Sequence, residues 1–536
     1  ENGNYWRAPG KTVTCSHSAG SAHERARSQG RCALTAQLTT ETTVEQKTFE
    51  LVNPANGEVV GTYPIHSAAE VEAIVAKARA AQGWWAGLGF DGRKKRMLRW
   101  TSYLAKRIDE ITDLCYRETA KPRGDGLFEL LAGLEELKWA ALNAERVLKQ
   151  RKVKPGLAML NFDARVEYLP LGVIGVITPW NAPLYTVFCA LADALGAGNA
   201  AVVKPSEFSV ATGVYAVESF YRANPDAPEG LVSWISGFGE TGSALCRSGV
   251  DKVAFTGSVP TGRRVMQACA ETLTPVLLEL GGKDSTVVAA DADLDAAARA
   301  IVWGSMWNAG QACVGVERVY VVQSVRDEFL ANVKGYAEKV SVGQGENDSY
   351  GPMTLPSQID IIRRHVTDAL DRGATALVGG LDSIQPPYVH PVVLVDVPEE
   401  SAAVQEETFG PVVVINTVKD EEEAIARSNA TQFGLGSSVF SKGRGREIAA
   451  RLRAGGTTIN SVLTFVGIPS LPFGGVGDSG FGRFHGDDGL REFTRPKATT
   501  RKKFNMGKDM QSFPRDPEAY KIVSKVLRLK FSRRLK

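Results

Sequence analysis

The hydrophobic pattern changes period along the chain. FELVNPANGEVVGTYP, starting near residue 47, reads as two short strands around an Asn-Gly turn. Residues 67–120 then carry apolar positions every three to four residues, the spacing of helices that bury one face. SAAEVEAIVAKARAAQGWW opens that stretch with Ser67 and, three residues on, an acid, a reciprocal cap for a helix start. Residues 126–150 keep helical spacing. After 165 short β-rich runs (VEYLPLGVIGVITP, AAVVKPS, LVSWISG, KVAFTGS, TPVLLELGG, STVVAA) alternate with helix-length segments. That alternation predicts parallel βαβ units. A second such block runs from 317 to about 440 and includes ERVYVVQ, VVLVDV and GPVVVINTV. The fold class read from this is α/β, with two doubly wound lobes.

The two ends break the pattern. Residues 1–46 are polar with no apolar signal core, which favours a disordered leader over a targeting peptide. Near the other end, FPRDPEAYKIVSKVLRLKFSRRLK places Tyr520, Val523, Val526, Leu527 and Phe531 among basic residues. The plainer reading is a solvated helix packed on its own protein. The sharper one is an amphipathic helix at a membrane surface or partner.

Composition narrows the class. With 536 residues the chain holds two or three domains, and 43% hydrophobic with 23% charged residues is ordinary for a globular protein. A net charge of +3 gives no global argument for nucleic acid. No apolar run approaches the roughly 20 residues that span a bilayer. Seven scattered cysteines without a CxxC, and no HExxH, point to a reducing compartment, no disulfide framework and no metal site. The expected location is the cytoplasm, with membrane association through the tail as the alternative.

The candidate chemistry begins at WNAGQACVG (307–315). DLDAAARAIVWGSMWNAG reads as a helix ended by Gly310, which leaves Cys313 on a loop before a strand. Alone it passes for small apolar filler. Its partners change that. Glu279 interrupts the apolar strand LLELGG, a costly place for a carboxylate without a role or a partner. In TPWNAPL, prolines fix the loop and hold Asn181 as a rigid amide donor, the type that stabilises an oxyanion. VVKPSE ends a strand with Lys204 and Glu207, a pair able to grip a ribose. AFTGS ends another at Gly257 and Ser258, where backbone can approach a phosphate or nicotinamide. Gly237-Phe-Gly239-Glu-Thr-Gly242 spells GxGxxG between a strand and a short helix, but no acid follows about twenty residues on, so it is a weak dinucleotide signal.

PWN (179–181), KPSE (204–207), FTGS (255–258), LELGGK (278–283), GQACVG (310–315), EETFGPV (406–412) and PFGGVGDSGFG (472–482) occur together and in order. In these motifs, over about 47–500, the chain resembles the aldehyde dehydrogenase superfamily. The resemblance implies Cys313 as nucleophile, Glu279 as general base and Asn181 in the oxyanion hole. It implies NAD as cofactor, with NADP as the alternative, held by Trp180, Lys204, Glu207, Gly237, Gly257, Ser258, Glu407 and Phe409. It further implies a Rossmann-like NAD-binding domain (47–150 and 170–280) and a catalytic domain (281–478). A β oligomerisation arm (151–169 and 495–505) would build a homodimer or homotetramer, followed by a basic amphipathic tail (506–536). Ala182 stands where the family often has an aromatic residue, and Phe484-His485-Gly486 where many members have Glu. His485 reads as a packing residue. Tyr185, Trp307, Val314 and Phe465 suggest an apolar substrate tunnel, and no Arg is placed to anchor a second carboxylate. The implied reaction is oxidation of an aldehyde to the acid through a cysteine thioester. A CoA-acylating enzyme, a catalytically silent relative and a cysteine protease are weaker readings, given Glu279, the complete Cys-Glu-Asn set and the lack of an activating His.

Overall fold

The computed structural model describes residues 47–345, 347–505 and 513–532. The leader lies outside them, as does the start of the tail. Two large sheets carry the molecule. In the first, five parallel strands lie in the spatial order Val276–Glu279, Lys252–Thr256, Val173–Ile177, Ala200–Lys204 and Val232–Trp234, with Gly480–Phe481 antiparallel at the edge. Counted along the chain the parallel strands run 5-4-1-2-3, so the winding reverses between Val173–Ile177 and Lys252–Thr256. Such a switch point opens a crevice at the carboxyl ends of the strands. In VIGVI and AAVVK every residue is buried, because helices cover both faces of the sheet.

The second sheet has seven strands in the order Thr375–Val378, Val392–Val395, Val412–Val418, Val316–Val322, Asp284–Val288, Gly436–Phe440 and Gly456–Ile459, all parallel except the first. The fold is therefore α/β with two parallel-sheet lobes, as the alternation of short apolar runs predicted.

Smaller elements depart from the sequence reading in instructive ways. The hairpin forms from Thr48–Val52 and Val59–Pro64. The helix Ala68–Gly87 opens with the reciprocal Ser67–Glu70 cap. VEYLPLGVIGVITP, a single β-rich run in sequence, splits at Gly172 (φ 139°). Its first half extends Phe162–Pro170, which pairs antiparallel with Thr494–Lys502 over nine residues and with Arg151–Val153 in a separate three-stranded sheet. The helix before the cysteine stops at Met306, short of Gly310. Asn308, Ala309 and Gly310 then follow with φ of 55°, 56° and 68°. A turn of consecutive left-handed residues, one of them alanine, leaves no composition cue.

Among the described residues no helix is long and apolar enough to cross a membrane. The tail forms a helix, Pro517–Phe531, capped by the Asp516 side chain. Ala519 is buried and Val523 and Val526 half-buried, while Tyr520, Ile522, Leu527, Leu529 and Phe531 are exposed.

Candidate active site

One cavity of about 1560 Å³ collects the carboxyl ends of the first sheet and the loops of the second. Cys313, Glu279, Asn181, Trp180, Lys204, Glu207, Gly257, Ser258, Glu407 and Phe409 all line it, although they span more than two hundred residues of sequence. Gly237 does not. With φ at 139° it packs against Thr241, and Phe238, Gly239 and Gly242 form the wall instead.

The cysteine loop is held from behind. Gln311 Nε2 donates to Asn308 O, and Asn308 Nδ2 donates to Asn181 O, both at 2.9 Å. Asn181 Nδ2 donates to Gln311 O at 2.9 Å, which ties the PWN loop to the cysteine loop and leaves the second amide N–H free to donate. Lys121 Nζ donates to Asn181 O at 2.5 Å and pairs with Glu129, whose other oxygen accepts from Leu184 N. Lys121 and Glu129 are both buried, so this ion pair is a rigid strut for the PWN loop. Sequence reasoning missed the strut. Its signal was an acid inside the apolar helical run GLFELL.

Glu279 ends its strand nearly fully buried and faces the Cys313 thiol, and neither carboxyl oxygen has a hydrogen-bond partner of ordinary geometry. Burial, then the charge of Glu407, pushes Glu279 well above the usual carboxylate range. Burial, followed by Glu279, Asp284 and Glu407, pushes the Cys313 thiol up as well. The thiol therefore keeps its proton until a base removes it. Glu279 is the carboxyl that faces it.

The Glu407 carboxylate accepts from Gly282 N at 3.0 Å and occupies the space a side chain at Gly281 would need: a Cβ there would lie 2.3 Å from Glu407 Oε2. Burial first, then Glu317, raises Glu407 to about 8. The segment carrying it is pinned by buried Glu317, which accepts from Thr408 N, Phe409 N and Lys283 Nζ. Glu317 carries the same signal as Glu279, a carboxylate in an apolar strand, and sequence reasoning passed over it. The Phe409 ring meets Trp180 edge-on at 5.6 Å and 86°.

At the other end of the cavity Lys204 Nζ lies 3.7 Å from Glu207, and burial lowers the lysine. Ser258 holds the N-cap position of the helix Val259–Ala270 at the switch point, its hydroxyl donating to Thr261 and leaving the helix N-terminus open, where anions are favoured. This half of the cavity fits a dinucleotide: a carboxylate and an ammonium for ribose hydroxyls, a helix start for phosphate, and apolar Val265 and Ala268 beside them. On the opposite side Tyr185, Trp307 and Val314 line the cavity. Phe465 does not; it stacks behind Phe473 at 6.1 Å.

Fold and cavity define a dinucleotide-dependent enzyme with a half-buried thiol. The family model "Aldehyde dehydrogenase family" matches residues 41–499, and the chain belongs to that family. It is 38% identical over 477 residues to 4,4'-diapolycopene aldehyde oxidase of Methylomonas sp, covering 88% of this chain and 89% of that one. It is 34% identical to glutarate-semialdehyde dehydrogenase of Pseudomonas putida, covering 84% and 94%. The crystal structure of an NAD-dependent aldehyde dehydrogenase from Sinorhizobium meliloti superposes with a TM-score of 0.82 at 34% identity, covering 86% and 92%. The protein is a nicotinamide-dependent oxidoreductase acting on aldehydes, with NAD as cofactor and NADP as the alternative.

Proposed function

We propose that the chain oxidises an aldehyde with an apolar body to the free acid, with Cys313 as nucleophile, Glu279 as base and Asn181 as oxyanion donor. The observation that carries this is the buried, unpartnered Glu279 carboxyl lining the same cavity as the Cys313 thiol, a cavity whose far half fits a dinucleotide. Cys313 Sγ attacks the aldehyde carbon and its proton passes to Glu279. The resulting oxyanion accepts from the free Asn181 amide N–H and the Cys313 backbone N–H. Bound NAD supplies the acceptor for the hydride that leaves this carbon. Glu279 then takes a proton from water as it adds to the thioester, and the acid leaves. Lys204 and Glu207 would hold the adenosine ribose, Gly257 and Ser258 would lie at the phosphates, and Glu407, Phe409 and Trp180 would hold the nicotinamide side. Gly239 and Gly242 stand in for Gly237.

The substrate's apolar body is supported by the Trp307, Val314 and Phe473 wall and by the name of the Methylomonas relative. The test is NADH formation from straight-chain, aromatic and acid-bearing aldehydes, without coenzyme A. Apolar aldehydes should rank first, with the free acid as product. NAD should exceed NADP, because Glu207 repels a 2′-phosphate. A requirement for coenzyme A would refute the hydrolytic role of Glu279.

The same reading divides the chain into an NAD-binding domain (47–150 and 170–280), a catalytic domain (281–478) and an arm (151–169 and 495–505). The arm sheet is the candidate contact of a homodimer or homotetramer, because Thr494–Lys502 is an edge strand with eight of its nine residues exposed. Light scattering should return two or four times 57.7 kDa; a monomer mass would refute it.

A second reading concerns the tail. Lys521, Lys525 and Arg528 fall on one face of the helix, and Tyr520, Leu527 and Phe531 on another. We assign it to anionic lipid surfaces at the membrane interface. The full chain should sediment with vesicles containing phosphatidylserine, and less with phosphatidylcholine alone or at high salt. Equal sedimentation of a chain ending at residue 512 would sink the assignment.

A further inference from the structure

His485 is the residue for which the family reaction has no use, and it combines a strained backbone with a buried polar ring on the aldehyde side of the cavity. Its backbone has φ 61° and ψ 163°, a region glycine normally occupies. Its imidazole is 1% exposed, borders the cavity and stacks on Phe473 at 5.6 Å. Strain and complete burial of a polar ring persist only where surrounding contacts impose them, and those contacts lead to Tyr185.

Tyr185 Oη lies 3.1 Å from His485 Nε2 and 3.2 Å from the Val466 carbonyl. A phenol has one proton to donate and two lone pairs. The carbonyl can only accept, so the hydroxyl donates to it and Nε2–H donates to the phenol oxygen. One lone pair of Oη remains. Apart from the Cys189 thiol, which neighbours the Tyr185 hydroxyl, the rest of this wall is apolar: Trp307, Val314, Val466, Phe473 and Phe484. Thr186, also on the wall, spends its hydroxyl on Ala182 O. Tyr185 Oη is thus a fixed acceptor in an apolar tunnel.

Behind the imidazole stand two buried carboxyls. Glu136 Oε2 is 3.9 Å from Nε2, and Asp193 accepts the His485 backbone N–H at 3.1 Å. Burial raises Asp193 to about 8 and Glu136 well above its usual range, and lowers the imidazole to about 3. Burial likewise keeps the neighbouring Cys189 thiol and the Tyr185 phenol protonated. Burial thus favours the uncharged form of each of these groups. The site offers nothing to a carboxylate and one acceptor to a neutral donor.

We propose that Tyr185, oriented by His485, forms a polar subsite in the aldehyde tunnel that accepts a hydrogen bond from a hydroxyl group on the body of the aldehyde. Tyr185 touches the substrate; His485 is a positioning residue. The inference rests on the cavity being the aldehyde site.

The test uses the full chain and a series of straight-chain aldehydes that carry a hydroxyl at successive carbons, each paired with the aldehyde bearing a methyl there. The readout is the kcat/KM ratio within a pair, which cancels losses common to both. At one position the wild type should prefer the hydroxyl by about tenfold, the order of one neutral hydrogen bond. Tyr185→Phe should bring that ratio to about one. His485→Asn, a residue that tolerates positive φ, should lower it in the wild type and leave it unchanged in a Tyr185→Phe background. A merely structural His485 would alter both pair members equally. Ratios near one at every carbon in the wild type, or a preference that survives Tyr185→Phe, would overturn the subsite while leaving aldehyde oxidation in place. No NADH from any aldehyde would overturn both.

Discussion

Cys313→Ala should abolish aldehyde-dependent NADH formation, with kcat down about 10⁴-fold or more, because the covalent step has no other nucleophile. Among the described cysteines, Cys115, Cys189, Cys246 and Cys269 are buried, while Cys313 alone is partly exposed. Of the cavity-lining thiols Cys189, Cys246 and Cys313, only Cys313 is partly exposed to the cavity that Glu279 also lines. The fold should survive, since the alanine keeps the loop's backbone and Gln311, Asn308 and Asn181 still tie it down. Binding of NAD, followed by tryptophan quenching at Trp180, should be retained. Loss of turnover with binding intact identifies the thiol as chemical rather than structural. Residual turnover above about 1% of wild type would overturn the covalent mechanism.

The parts of the site that sequence made legible share one property: they sit on regular elements or in motifs whose spacing is fixed by a strand end. Glu279, Lys204 and Gly257 are strand-terminal or next to it, so an apolar run ending in a polar residue announces them. The supporting charges were harder to read. Glu317 and Glu129 break apolar runs just as Glu279 does, but a buried carboxylate that works and one that is paired look alike until its partner is located. Glu129 meets Lys121, Glu317 meets Lys283, and Glu279 meets a thiol. The left-handed turn at Asn308–Gly310 could not be read, because its conformation is imposed by tertiary contacts: the gap at Gly310 is closed by the Gly410 carbonyl, 2.1 Å from where a Cβ would stand. His485 was legible as an oddity and not as a contact, since Tyr185 lies three hundred residues away.

Glu279→Gln should separate the two halves of the reaction. Glutamine fills the same space but takes no proton. The first half needs a base once, and a thiol can lose its proton to water at raised pH. The second half needs a base to activate water against a thioester. The variant should therefore give a burst of about one NADH per active site followed by turnover reduced about 10²- to 10⁴-fold, the usual worth of a positioned base. The pH profile carries the sign. Burial and Glu407 hold Glu279 well above the usual carboxylate range, so the carboxyl is protonated at acid pH and wild-type kcat should climb with pH above that range. The glutamine variant should lose that limb. Stability supplies an independent readout. A carboxyl whose folded pKa exceeds its unfolded value contributes fully below the unfolded pKa, about 4.3, and that contribution is lost as pH rises toward the folded pKa. Glutamine has no such loss, so Glu279→Gln should match the wild type in Tm near pH 4 and melt above it at pH 8 to 9. A variant that melts lower at alkaline pH would mean that Glu279 is an ionised, paired structural group. Full steady-state turnover in the same variant would show that water is activated elsewhere.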